Sequence, residues 1–193
     1  MAIGVINNTN FFFSSSFHLF IIIFATVSAT IARSDDCVYS LYVRTGSIIK
    51  GGTNSKMSAT LYDRDGWGIR INDIELWGGL MGQAYDYFER GNLDIFSGRG
   101  PCLDAPICAL NLTSDGSGPN HGWYCNYVEV TATGPHMGCS QQLFTIEQWL
   151  ATDTSPYELT AIRDYCGPYV SNPTVGKRVR IINGPDKSVI SVI

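Results

Sequence analysis

Carboxylates and oxygen-rich loops are the groups in this sequence best equipped for chemistry. Tyr85-Asp86-Tyr87-Phe88-Glu89-Arg90-Gly91-Asn92-Leu93-Asp94-Ile95-Phe96 sets Glu89 and Asp94 on either side of a turn glycine. Two carboxylates at that spacing suit general acid and base work if they face each other across a cleft. They also suit a hard cation. Gly51-Gly52-Thr53-Asn54 adds backbone carbonyls, a hydroxyl and an amide oxygen. Calcium takes about six to eight such oxygens in irregular geometry. Gly52, Asn54, Glu89 and Asp94 are therefore the candidate ligands, and calcium is the one cofactor these loops could take; none is required. The simpler reading of Glu89-Arg90 is an ion pair that fixes a turn.

Other catalytic apparatus is missing. The histidines are His18, His121 and His136. No GxSxG elbow, phosphate-cradling glycine loop or HExxH pair is present. The chain is not expected to be an enzyme. Its net charge is −4, which argues against nucleic acid as a partner.

Residues 1–32 carry no Lys, Arg, Asp or Glu, and Phe17 to Val27 is an apolar run. Small residues follow, so 1–32 reads as a cleaved signal peptide. Cys37, Cys102, Cys108, Cys125, Cys139 and Cys166 all lie beyond it. An even set behind a signal reads as a disulfide framework of open connectivity. Cys102 and Cys108 could close a short loop between them. Cys37 with Cys166 would staple the domain ends, leaving Cys125 with Cys139. Localisation to the endoplasmic reticulum lumen or secretion to the cell exterior follows. Asn111-Leu112-Thr113 is a glycosylation sequon in that context. Asn172-Pro173-Thr174 is excluded by its proline.

Strands must position these groups. Cys37 to Arg44 alternates Tyr39, Leu41 and Val43 against Ser40, Tyr42 and Arg44. Lys56 to Tyr62, Gly68 to Ile74, Asn92 to Phe96, Ile107 to Leu112, Trp123 to Thr131, Gln142 to Leu150 and a short Thr160 to Arg163 follow. Asp63-Arg64-Asp65-Gly66 is a tight turn, and Ser97 to Pro106 reads as a cysteine-bounded loop. Short strands between frequent turns predict an all-β sandwich. Trp67, Trp77, Leu80 and Met81 lie in or beside glycine-rich loops, where exposed apolar side chains could meet a membrane interface or a partner. The domain spans 36–166, and 167–193 reads as a flexible tail.

The ordered motifs resemble the PLAT/LH2 domain, also found at the N-terminus of lipoxygenases. They are Tyr42-Val43-Arg44-Thr45-Gly46, Gly52-Thr53-Asn54 and Phe88 to Asp94. Asp115-Gly116-Ser117-Gly118-Pro119 leads on to Trp123, Tyr127-Val128-Glu129-Val130 and Gln148-Trp149-Leu150. The cysteines and the run from Phe88 to Cys102 resemble the small plant-stress and embryo-specific group. The resemblance implies an eight-stranded antiparallel sandwich of two four-stranded sheets. It also implies a non-catalytic module that contacts lipid, membrane or protein, sometimes with calcium. Plant members are associated with abiotic stress and the endoplasmic reticulum. Lipoxygenase activity does not carry over, because its iron lies in a separate helical domain. The family loop often has Asp where this chain has Asn54, which should weaken calcium binding.

The leading expectation is thus a monomeric secretory-pathway PLAT module for lipid surfaces or protein partners. The alternative is a cell-wall or carbohydrate-binding sandwich that stacks sugars on Tyr42, Tyr62 or Trp77.

Overall fold

The computed structural model describes residues 36–82, 84–135, 137–167, 178–182 and 188–192. The expected signal peptide, 1–32, lies outside the described residues.

Strand β1 (Asp36–Thr45) turns Cys37, Tyr39, Leu41 and Val43 inward, as its alternation dictates. Then come β2 (Met57–Asp63) and β3 (Trp67–Ile71), joined by the tight turn. The Asp63 carboxylate caps that turn, accepting from Asp65 N at 3.0 Å and Trp67 N at 2.9 Å. A short helix α1 (Ile74–Gly78) precedes β4 (Leu93–Pro101) and β5 (Ile107–Ser114). The long β6 (Trp123–Gly134) and β7 (Met137–Leu150) form a hairpin, and β8 (Thr160–Asp164) follows.

One sheet has the order β4-β1-β6-β7, all antiparallel. The other has β3-β2-β5-β8, also antiparallel. Strands β1 to β8 therefore form an eight-stranded sandwich of two four-stranded antiparallel sheets. Between them lie Trp123, Phe96, Phe144, Leu41, Leu61 and Leu110, all sealed from solvent. Each such side chain contributes about 1.5–3 kcal/mol on burial.

The C-terminal segment departs from the expected tail. Within 167–193, the backbone of β9 (Arg178–Ile182) pairs in parallel with β3, and β10 (Ser188–Val192) pairs with β9. This hairpin lengthens the second sheet to six strands. The valine and isoleucine content of both segments suits a ladder.

Helix α1 was not anticipated, since five residues are too few to show a period. Asp73 caps it, accepting from Leu76 N at 3.0 Å. The helix turns Trp77 into the core, only 4% exposed, and corrects its expected place on a contact surface. Gly98 makes room: a Cβ there would sit 2.4 Å from the Trp77 ring. Beside it, Gly79 bridges to Phe96, so this segment covers the outer edge of β4. β4 itself runs on to Pro101, through residues expected to be loop.

The disulfides also differ from expectation. Cys37 bonds Cys102, and Cys108 bonds Cys166. Strand register explains the first, since Cys37 sits opposite Gly100 at the end of β4. The second ties β5 to the residues just past β8, its ladder partner. Cys125 and Cys139 are free. Cys125 lies opposite Gln148, nine positions from Cys139 along β7. At ~3.4 Å per strand residue that is roughly 30 Å, far beyond disulfide reach. Local closure of Cys102 with Cys108 fails because their loop bridges the two sheets.

Candidate functional site

Arg44 pairs with Leu93, and Thr45 with Cys125, so β1 ends where β4 and β6 begin. The loops 46–56, 84–92 and 115–122 therefore gather at one end of the sandwich. Their bases are sewn together by backbone hydrogen bonds. Gly46 N donates to Tyr124 O at 2.8 Å, and Tyr124 N to Gly51 O at 3.0 Å. Gly91 N donates to Gly46 O at 3.2 Å, and Thr53 N to Phe88 O at 3.2 Å. Gly52 lies against this seam, where a Cβ would meet Arg90 N at 2.7 Å. Only glycine permits that approach.

On this fixed base sits a turn. Gly51 N donates to Ile48 O at 3.1 Å, and Lys50 takes the left-handed conformation with φ 61°. The turn lifts Ile48, Ile49 and Lys50 away from the sheet. Ile49 is 79% exposed, the highest of any large apolar side chain described. Arg90 is exposed beside the same seam. Farther along this end, Leu80 N donates to Ile95 O at 3.1 Å and Met81 N to the Tyr87 hydroxyl at 2.7 Å. These bonds hold Leu80 and Met81 in exposed positions. Of the four expected contact residues, Leu80 and Met81 reach solvent. Trp67 is half-buried against the core and Trp77 is sealed.

The expected cation ligands are not brought together as a set. Asp94 is fully buried. Its Oδ1 accepts from the Tyr85 hydroxyl at 3.0 Å and its Oδ2 from Phe88 N at 2.7 Å. Burial pushes its carboxyl above the ordinary value, against the pull of those bonds. Its task is bracing. Phe88 stands in the left-handed region at φ 59°, which a bulky residue adopts only when held there. Asp94 holds it, and the Phe88 ring then stacks on Phe96 at 5.4 Å and meets Trp123 edge-on at 5.4 Å. Glu89 folds over Gly52, with its Oε2 3.0 Å from where a Cβ would lie. Asn54 is exposed near Gly118 instead. Among the described residues no three of His, Cys, Asp and Glu converge on a metal-sized site. Nor does an ion pair join Glu89 to Arg90 there.

With Asp94 sealed inside, the acid-base pairing of Glu89 and Asp94 across a cleft does not form. What the end presents is exposed apolar side chains and the exposed cations Lys50 and Arg90 on a hydrogen-bonded base. Ile48 and Ile49 were not among the contact residues expected from the sequence. The available signal was two adjacent isoleucines inside a glycine-bounded loop, where polar residues are the rule.

The match to known proteins fits this frame. The PLAT/LH2 domain family model covers residues 39–163. The chain belongs to the PLAT/LH2 domain family. PLAT domain-containing protein 1 of Arabidopsis thaliana is 65% identical over 149 residues, which is 76% of this chain and 82% of that protein. PLAT domain-containing protein 2 of the same plant is 58% identical over 159 residues, 81% of this chain and 86% of the relative. The plant group inferred from the Phe88 to Cys102 run is thus the right one. Lipoxygenase homology domain-containing protein 1 of Mus musculus is 32% identical over 62% of the chain, which is 5% of that protein. Among solved structures, coral 8R-lipoxygenase, described with calcium activation via a C2-like domain, aligns over 65% of this chain and 16% of its own. That alignment has a TM-score of 0.46 and 19% identity.

Proposed function

We propose that this PLAT/LH2 domain is a non-catalytic docking module of the plant secretory pathway. It attaches to lipid surfaces by its loop end, in the service of stress responses. The observation that carries the reading is the Ile48–Gly51 turn, which holds Ile49 out in solvent beside Lys50. An isoleucine entering the acyl boundary gains by burial, while the adjacent ammonium stays among anionic headgroups. Leu80 and Met81 lie at the same end and would enlarge the contact. The two disulfides suit an oxidising compartment.

Pelleting with liposomes tests this, with and without added calcium. Anionic vesicles should carry the protein down, and zwitterionic ones less so. Ile49→Asp should weaken association by about tenfold or more, since burying such a side chain contributes ~1.5–3 kcal/mol. Its melting temperature should stay put, because the Ile49 side chain is 79% exposed. A protein that ignores every vesicle composition would overturn the reading.

A second reading, binding to wall polysaccharide, draws on one observation. Tyr42, Tyr124, Tyr127 and Trp149 are half-buried on the outer face of the first sheet, where rings could stack on sugars. Sedimentation with insoluble wall polysaccharide, unaffected by Ile49→Asp, would favour it. Of the three aromatics first considered for stacking, Trp77 is unavailable.

A further inference from the structure

We propose that Asn111 carries an N-linked oligosaccharide that shields Ile162 on the outermost strand, β8, of the second sheet. The proposal rests on the secretory reading above. Leu112 points into the core with no exposure, so Asn111 and Thr113 both stand on the outer face of β5. The Thr113 hydroxyl donates to Asn111 Oδ1 at 3.0 Å. It also lies 3.1 Å from the Thr160 hydroxyl, which must then be the donor in that contact. This relay occupies the amide oxygen and leaves the nitrogen. Among the described residues, Asn111 Nδ2 donates to nothing. It is not a sealed atom either: the buried polar atoms without partners are Asp63 Oδ2 and Trp77 Nε1. Among the described residues, the sequon's reactive nitrogen is thus unpaired and not sealed.

The surroundings give the sugar a task. Across the ladder from Asn111 stands Ile162, 61% exposed on an outer sheet face. Its strand, β8, ends the sheet; of its outward carbonyls, Thr160 O accepts from Gln148 Nε2 at 3.4 Å and Ile162 O from Arg163 Nη1 at 2.8 Å, so the exposed feature there is the Ile162 side chain. A large apolar side chain left in solvent at a sheet margin invites contact with another chain. A sugar on Asn111 would lie over Ile162 and block that approach. It would also dedicate this face to solvent, leaving the loop end clear for docking.

The chemistry is a group transfer from a lipid-diphosphate-linked oligosaccharide. Nδ2 forms a bond to the anomeric carbon of the first sugar. The anomeric carbon–oxygen bond to the diphosphate breaks, its electron pair leaves with the lipid diphosphate, and Nδ2 loses one proton. Transfer precedes folding, while the Asn-Leu-Thr segment is still extended and accessible.

The test is to express the full chain in plant cells, recover it, and treat it with a glycan-releasing amidase. The proposal expects a faster-running band and conversion of residue 111 to Asp in the β5 peptide. Both should vanish in Asn111→Gln and in Thr113→Ala, and persist in Thr113→Ser. Native release of the glycan should raise hydrophobic-dye binding, and Ile162→Ser should cancel the rise. An unmodified Asn111 in protein recovered from the lumen or apoplast with its disulfides formed overturns the proposal and leaves the secretory reading intact. Protein recovered outside the secretory pathway and unmodified overturns both. A glycan whose removal leaves dye binding unchanged overturns the shielding role.

Discussion

Asp94 shows how much one buried carboxylate can organise. It ties Tyr85 and Phe88 to the start of β4, and Asn92 Nδ2 completes the group by donating to the Tyr85 hydroxyl at 2.9 Å. Burial raises its carboxyl above the ordinary value. Such a group holds its proton more tightly in the folded state than in the unfolded state. Its contribution to stability is therefore full below the ordinary carboxylate value and is lost as pH rises through the raised one. Asp94→Asn removes that titration. The melting-temperature gap between the protein and this variant should widen as pH is lowered from neutral to mildly acidic. A gap that narrows on acidification would mean that the carboxylate, not the acid, is the favoured form.

At the scale of elements, α1 and β4 depend on one small residue. Gly98 gives the Trp77 ring its bed, and Trp77 anchors the helix that covers the β4 edge. Gly98→Ala forces a methyl group into occupied space, and overpacking of that kind costs about 1–3 kcal/mol. Thermal unfolding should register the loss, and tryptophan emission should shift red as Trp77 is pushed outward. The 46–52 loop behaves oppositely. Its base is bonded on two sides while Ile49 at its tip is 79% exposed, so substitutions at Ile49 belong to binding and not to stability.

Across the whole molecule, the two disulfides clamp the sheets at different places. Cys37–Cys102 joins neighbouring strands of the first sheet, and Cys108–Cys166 fastens the region just after β8 to β5. Replacing Cys108 and Cys166 with serine should cost about 2–5 kcal/mol, read from denaturant unfolding. Thiol labelling checks the connectivity directly. In the native protein a maleimide should modify Cys139, which is exposed. Cys125 should react only after unfolding, because burial pushes its thiol far up and closes access. Labelling of neither cysteine after unfolding without reductant would restore a Cys125–Cys139 bond.

The sequence by itself determined the sandwich. Alternation in β1, the Asp63–Gly66 turn and the sequon on β5 are written in adjacent residues, and adjacent residues are all that local chemistry needs. The ordered run from Tyr42 to Leu150 carried the family in the same way. The tertiary structure alone decided which side chains meet. Cys37 and Cys102 are separated by 65 positions and joined only by strand register. Asp94 lies on the buried face of β4 with Phe96, and only the fold brought Phe88 N and the Tyr85 hydroxyl to its carboxylate. Trp77 went inward because Gly98, on a strand reached later, left room for it. Ile49 went outward because a turn and its bonded base held it there. Burial and pairing are properties of distant contacts, and those form only when the chain closes on itself.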